Sequence, residues 1–447
     1  MPRIKKQTAS NRVVATVPTF QSGWVSFLKR ISIWLLAIAV AYALNLFWND
    51  LPDRANQIDF SHYYVSALAM RHGIDPYTTD LKPLATSLRL DVGEMNIGTY
   101  PPTFILCFEP LTWLSPLPAY WLWIAMNIVF LATALYLLLD RLPKDTDLRL
   151  ALLGLAILYA PITYNFYYAQ TQILILLLLI LFMRWLGSGR HALAGFMLAL
   201  AALLKVFPAI LIGYLLLRRQ GKAIVYVGLG LIVGGVVTLT LVGVELSLHF
   251  FQVLPFLTSP YWLSSSDNVA LDAMVSRLFW FSANSDGPGV EFVRRAAVVT
   301  AELAVMALTV RATLGSSRLS DNSDEHVIAL WIVTAILLSP TAWIHYLVLL
   351  LMPFAVLLRQ RLYGGASLRS ARLGQASYLI AEVLIVVLIA GNLAFEKLPN
   401  WVRFGEMIGW SFSLLLAYGA AYSLAVDTLP PPAAVTTRAS RRGPHRR

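Results

Sequence analysis

The sequence predicts an all-α polytopic membrane protein, and three features predict it. Of its 447 residues, 58% are hydrophobic, only 13% are charged, and apolar stretches long enough to cross a bilayer recur along most of the chain. A soluble globular domain averages about 45–50% apolar and about 25% charged residues. So little charge cannot cover a water-facing surface of this size, which excludes a soluble enzyme, a disordered chain and a coiled coil. In lipid every backbone polar group must be satisfied within the chain, and helices do this one segment at a time.

The apolar segments fall at about 31–48, 118–139, 148–163, 171–186, 191–217, 223–244, 293–311, 327–339, 343–358, 375–395 and 407–426. Segment 191–217 holds Lys205 and Pro208 at its middle and reads as two short helices meeting at a break. Segment 100–116 is interrupted by prolines and either spans or re-enters. These two segments set the range of the count, about eleven to thirteen spans. Residues 33–43 have the look of a signal peptide ending in Ala41-Tyr42-Ala43, but the apolar run continues to Trp48, so a retained first helix is expected. The chain thus divides into a basic N-terminal segment (1–30), a membrane domain (31–426) and a polar, Pro-rich, basic tail (427–447) expected to be disordered.

The net charge of +11 sits in the two ends. Arg3, Lys5, Lys6, Arg12, Lys29 and Arg30 stand at one end and Arg438, Arg441, Arg442, Arg446 and Arg447 at the other, and no acid lies in residues 1–30 or after Asp427. Basic ends of this kind anchor to anionic lipid on the cytoplasmic side. Nucleic-acid binding would need a folded basic patch, and the sequence has none. The long link 49–99 sets four basic residues against seven acids, and the link 245–291 sets Arg277 alone against five. Both read as extracytoplasmic, whereas the links with Arg218, Arg219 and Lys222 and with Arg359, Arg361, Arg369 and Arg372 read as cytoplasmic. Two large links on one face, among otherwise short connections, point to a site on that face. The single cysteine, Cys107, excludes an internal disulfide.

Several residues stand out as chemistry. Asp59, about ten residues past the first helix in IDFSHYY, has apolar and aromatic neighbours at the membrane boundary. Desolvation there would raise its basicity and suit a general base; the competing reading is a helix N-cap. His62 lies three residues on. The Tyr100-Pro101-Pro102 turn sets the entry of the next segment, and Tyr100 is a candidate lining residue. Lys205, in FMLALAALLKVFPAILIGYLL, has no acid nearby in sequence. A lysine at membrane depth is expensive; it either snorkels or faces a cavity where it holds a lipid phosphate. His345, in SPTAWIHY, can donate to a phosphate or shuttle a proton, or is simply a hydrogen-bonded interfacial histidine. Gln170 and Gln172 stand at a helix start, where amides bind sugar hydroxyls or cap. Asn268, Ser276 and Arg277 lie on the second outer link, with Arg277 a candidate anion ligand or a solvated loop charge. There is no P-loop, dinucleotide turn, HExxH or Ser-His-Asp arrangement in a usable context, so neither a cofactor nor a metal is expected.

In their order along the chain these pieces resemble a known pattern. The acid Asp59, GIDPY (73–77), YPP (100–102), YYAQTQ (167–172), ALLKVFP (202–208), DNVALDAMVSRL (267–278) and SPTAWIHY (339–346) resemble the GT-C membrane glycosyltransferases. More closely they resemble glycosyltransferase family 87, the polyprenyl-phosphate-mannose-dependent mannosyltransferases, over about residues 30 to 360. That family commonly shows Gly-Gln-Asn where this chain has Ala169-Gln170-Thr171, and often a second His where it has Tyr346. The resemblance implies a GT-C-like helical bundle in a bacterial inner membrane, with the N-terminus cytoplasmic and the active site extracytoplasmic. It implies a polyprenyl-phosphate-sugar donor and a glycolipid or glycan acceptor. Asp59 would take a proton from the acceptor, Lys205, His345 and Arg277 would hold the donor phosphate, and Tyr100, Gln170, Gln172, Asn268 and His62 would contact substrate. The competing expectation is a multi-span transporter or flippase of a lipid-linked sugar, although no internal repeat is visible.

Overall fold

The computed structural model describes residues 23–363, apart from 55, 57, 94–96, 258, 260–261, 264, 266, 283–287 and 317–322, together with 411, 414–422 and 425. Residues 1–22, the expected span 375–395, most of 407–426 and the tail 427–447 lie outside the described residues. Among the described residues all regular structure is helical, with an isolated antiparallel bridge between Asn268 and Trp343. The chain is an all-α polytopic membrane protein.

Among the described residues four helices are long and apolar enough to cross a membrane: Val25–Arg54, Pro116–Leu139, Gly221–Val242 and Gly289–Gly315. Thr146–Leu158 and Ala160–Tyr167 together are long and apolar enough for one more, with a bend of 47° between them. The bend falls where Pro161 has no N–H for the Ile157 carbonyl and its ring crowds that carbonyl. Other expected spans within the described residues are shorter apolar helices, among them Gln172–Gly187 and His191–Leu204. Segment 100–116 folds as a short helix, Pro102–Phe108, followed by a 3-10 turn, Glu109–Trp113. At ordinary rises these extend about 20 Å, short of the roughly 30 Å hydrocarbon core, so the segment does not span.

Segment 191–217 breaks where the sequence places the break. The helix His191–Leu204 stops at Lys205, which is extended (φ −143°, ψ 131°), and a 3-10 turn, Phe207–Ile210, leads into Leu211–Leu217. Pro208 cannot donate to the Leu204 carbonyl, which ends the first helix there. Gln172–Gly187 and His191–Leu204 are joined by a tight turn through Gly189 (φ +73°) and pack against each other. After about 21 Å of return the chain is back level with the start of Gln172–Gly187. Lys205 therefore does not sit halfway through one long span; it lies at the same end of the bundle as Gln170. The return helix is held by backbone contact with Gly221–Val242, because a Cβ on Gly195 would fall 2.6 Å from the Tyr226 Cβ.

One group of ion pairs lies at the opposite end. Lys29 meets Asp145 at 2.5 Å, Arg184 meets Asp140 at 3.1 Å, and Arg218 meets Asp324 at 3.2 Å. Glu325 joins Arg141 and Arg359. These residues come from the first helix, from the turns at 140–145 and 218, and from the helices Gln172–Gly187, Ser323–Leu337 and Leu351–Tyr363. They therefore gather the helix ends that the charge pattern assigns to one side.

Candidate functional site

Asp59 lies in the first turn of the helix Ile58–Arg71. One turn further on, Tyr63 docks that helix into an aromatic cluster. Its ring stands edge-on to Tyr100 (centroids 4.5 Å apart), Phe104 (5.0 Å) and Phe108 (5.5 Å). Such edge-to-face pairs contribute beyond their burial and fix ring orientation. The Tyr100 turn is held from the other side by GIDPY. The Tyr77 hydroxyl donates to the Tyr100 carbonyl at 2.7 Å, and the Gly98 amide donates to the Pro76 carbonyl at 2.6 Å. Asp75 caps that turn by accepting from the Tyr77 amide at 2.8 Å and pairs with His249 of the helix Val244–Leu257.

Gln170 is placed by a tightly bonded turn. Its amide donates to the Asn165 carbonyl at 2.7 Å, and the Asn165 side chain bridges the Gln170 carbonyl (3.2 Å) and the Ile173 amide (3.3 Å). Trp123 donates to the Ala169 carbonyl at 2.7 Å. Ala169 itself is left-handed, at φ +49°. A side chain there costs about 1–2 kcal/mol, which glycine avoids. Ala169→Gly is therefore expected to raise stability by about 0.5–1 kcal/mol, the gain reduced by the greater freedom of unfolded glycine. Thermal unfolding in detergent checks this, and a lower midpoint than wild type counts against it.

The turn presents the Gln170 amide between two charges. Its Nε2 donates to Asp59 Oδ2 at 2.8 Å and lies 3.4 Å from the Tyr100 hydroxyl. Its Oε1 accepts from Lys205 Nζ at 3.5 Å. The reversed amide would set oxygen against carboxylate and NH2 against ammonium, so the two charges dictate its orientation. Lys205 also donates to the Tyr346 hydroxyl at 3.4 Å and lies 4.5 Å from that ring's centroid. Both of its hydrogen bonds are longer than the usual 2.7–3.2 Å, though Lys205 is only 8% exposed. Gln170 thus separates Asp59 from Lys205, and an under-coordinated ammonium remains beside them. His345, next to Tyr346 in the 3-10 turn Ile344–Leu350, is buried, and its Nε2 has no hydrogen-bond partner.

Asp59 is half-buried, and its carboxyl is pushed up to about 6. Desolvation is the main cause; the Gln170 hydrogen bond and the Lys205 charge oppose it. A carboxylate of that basicity beside an ammonium offers a proton acceptor and an anion holder about one side chain apart. Among the described residues no group of three or more His, Cys, Asp or Glu side chains is placed to hold a metal ion.

The structure brings Asp59, Tyr100, Gln170 and Lys205 together with Tyr346, and sets His345 beside them. It puts three other sequence candidates to different use. His62 is fully buried, and its Nε2 bonds the Val92 carbonyl at 2.8 Å, tying its helix to the loop that precedes Tyr100. Asn268 accepts from the amides of Ala270 (3.0 Å) and Ala342 (3.1 Å) and donates to the Trp262 carbonyl (3.2 Å), which straps the second link to the turn before His345. Arg277 donates to the Asn268 and Ser265 carbonyls at 2.7 and 2.9 Å and to the Ser411 hydroxyl at 3.2 Å, so the expected anion ligand is a loop clamp. Ser276 donates to Asp272 at 2.8 Å. Gln172 is fully buried, with both side-chain polar atoms unpartnered. Sequence reasoning missed Asn165, whose side-chain amide reaches across the turn with both its nitrogen and its oxygen, and gave Tyr346 no role in the cluster. A polar residue inside the apolar run before Gln170 is the signal for the first.

Residues 99–340, more than half of the chain, match Glycosyltransferase family 87. A polyprenol-phosphate-mannose-dependent alpha-(1-2)-phosphatidylinositol mannoside mannosyltransferase of Mycobacterium tuberculosis (strain ATCC 25618 / H37Rv) is 31% identical over 209 residues. That match covers 43% of this chain and 46% of the relative, so the chain spans about half the length of the curated relative. No solved structure matches the chain. By the extent of the family match, the chain belongs to glycosyltransferase family 87.

Proposed function

We propose that the chain moves a hexose, in this reading mannose, from a polyprenyl-phosphate donor to an acceptor hydroxyl by inverting displacement. The observation that carries this is the line Asp59–Gln170–Lys205, a basic carboxylate and a buried ammonium held apart by one amide. Asp59 takes the proton of the acceptor hydroxyl as its oxygen attacks the anomeric carbon. The bond from that carbon to the phosphate oxygen breaks, and its electron pair leaves with polyprenyl phosphate. The phosphate is a good leaving group without protonation, and Lys205 and His345 stabilise the charge it gains. Tyr100, Gln170 and Gln172 line the site, while His62, Asn268 and Arg277 position it. The name of the mycobacterial relative supports mannose as the sugar and a glycolipid as the acceptor.

The same reading puts the site on the extracytoplasmic face of the membrane domain 31–426, with the basic N-terminus on the cytoplasmic side. Lys29 and Arg218, at one end of the bundle, support that orientation, since the Asp59 cluster lies at the other end. The test is incubation of the purified chain with radiolabelled polyprenyl-phosphate-mannose and a membrane lipid extract. Label is expected in a new glycolipid; label that stays on the donor overturns the reading. A transporter would move the donor between leaflets of a vesicle without forming a glycosidic bond.

The basicity of Asp59 sets a pH dependence. The carboxylate acts only when ionised, so kcat/KM is expected to rise tenfold per pH unit as pH climbs toward about 6. Below that pH the protonated form predominates, so activity is lost as pH falls. A profile flat from pH 5 to 8 would remove Asp59 from the base role.

A further inference from the structure

The Gln170 side chain lies between two charges because the backbone beneath it is pinned, and the pins come from residues that the transfer step leaves unused. Ala169 and Gln170 are both buried, and buried carbonyls need donors. Here side chains supply them. Trp123, buried on the crossing helix Pro116–Leu139, donates its indole N–H to the Ala169 carbonyl at 2.7 Å. Asn165, fully buried, donates to the Gln170 carbonyl at 3.2 Å and accepts from the Ile173 amide at 3.3 Å, so one side chain spans the turn. Asn127, one turn beyond Trp123 and also fully buried, donates to the Trp123 carbonyl at 3.0 Å and accepts from Asn165 at 3.5 Å. Buried polar side chains on a crossing helix are unfavourable unless bonded, and the bonds of this pair lead to the turn of Gln170.

What the pinning prevents follows from the charges. Asp59 and Lys205 each meet Gln170 rather than one another. Opposite charges one amide apart in a low-dielectric interior attract strongly, and a lysine has the length and freedom to close that gap. An ammonium paired directly to Asp59 would be occupied before a donor phosphate arrived. We propose that Asn165 and Trp123 are positioning residues for the transfer: by pinning the turn they keep the Gln170 amide between Asp59 and Lys205 and leave the ammonium free for phosphate. This rests on the transferase reading and deepens it, adding two residues that act through Gln170 alone.

The test is equilibrium binding of polyprenyl-phosphate-mannose to the full chain in detergent, read as a double-mutant cycle with Asp59→Asn. Asn165→Ala removes both bonds across the turn and is expected to raise the donor Kd about tenfold, because the phosphate must then displace a carboxylate from Lys205. Trp123→Phe keeps a ring against Phe108, which the indole meets edge-on at 5.3 Å, and loses only the N–H; it is expected to raise the donor Kd about threefold. In Asp59→Asn there is no carboxylate for Lys205 to close on. Either substitution added to Asp59→Asn is therefore expected to leave the donor Kd within about twofold of Asp59→Asn alone. A turn that merely collapsed would weaken binding in both backgrounds. The proposal is overturned if Asn165→Ala binds the donor as wild type does, or if the losses persist in the Asp59→Asn background. Should Asn165→Ala fail to fold, the Trp123→Phe cycle decides by the same criteria. Transfer of label to the lipid extract by wild type is measured in parallel. A wild type that binds the donor and transfers nothing overturns the transferase reading, while the binding cycle still judges the pinning; a wild type that binds no donor overturns both.

Discussion

Asp59→Asn is expected to lower kcat for sugar transfer by about a thousandfold, within the span that a positioned general base contributes. The donor should bind the variant as tightly as wild type, or more tightly. Asparagine is nearly isosteric and keeps an oxygen that can accept from Gln170 Nε2, so the bridge to Lys205 is retained. What is lost is the negative charge. That charge accepts the acceptor's proton, and it also repels the donor phosphate through the low-dielectric interior. Catalysis and donor binding should therefore part company in this variant. Steady-state kinetics alongside equilibrium donor binding separate the two. If kcat stays within tenfold of wild type the base is elsewhere, and a collapse of both quantities together points to a damaged fold.

How much of this was legible in the sequence depends on how far each residue's partner lies along the chain. The helices were legible because hydropathy is local, and the break at Pro208 because a missing N–H is local too. Lys205 stood out because an ammonium in an apolar run has few inexpensive roles. Its depth was not legible: an unbroken apolar count gives no sign that the chain turns back, and only the hairpin through Gly189 brings Lys205 level with Gln170. Gln170 had two local readings, capping or sugar binding, and neither anticipates a partner 111 residues away in Asp59. Arg277 and His62 looked like ligands because charge and imidazole attract that reading. Their donors instead meet backbone carbonyls, and a carbonyl carries no residue signature. Tyr346 was silent for the opposite reason, since a tyrosine among apolar residues is ordinary until its hydroxyl is found against an ammonium.

Lys205→Met is expected to show the complementary pattern to Asp59→Asn, with kcat lowered by roughly a hundred- to a thousandfold and donor affinity weakened as well. Methionine fills the same unbranched volume, so the packing of the break between His191–Leu204 and Phe207–Ile210 is preserved. The ammonium it replaces is held by two long hydrogen bonds, to Gln170 and Tyr346, and by the Tyr346 ring. A group held so loosely gives up little when a phosphate displaces those partners, and it gains a charge-assisted bond in return. The phosphate carries one negative charge in the bound donor and approaches two as the sugar departs. The lysine's contribution therefore grows along the reaction, and kcat should fall more than donor affinity does. Lys205→Arg should recover part of the donor affinity but less of kcat, because the guanidinium is longer and its charge is spread out. Equal losses in kcat and donor affinity would mean that Lys205 binds the ground state only. An unchanged donor Kd would take it out of the phosphate site and leave its place beside Gln170 as structural support for the carboxylate.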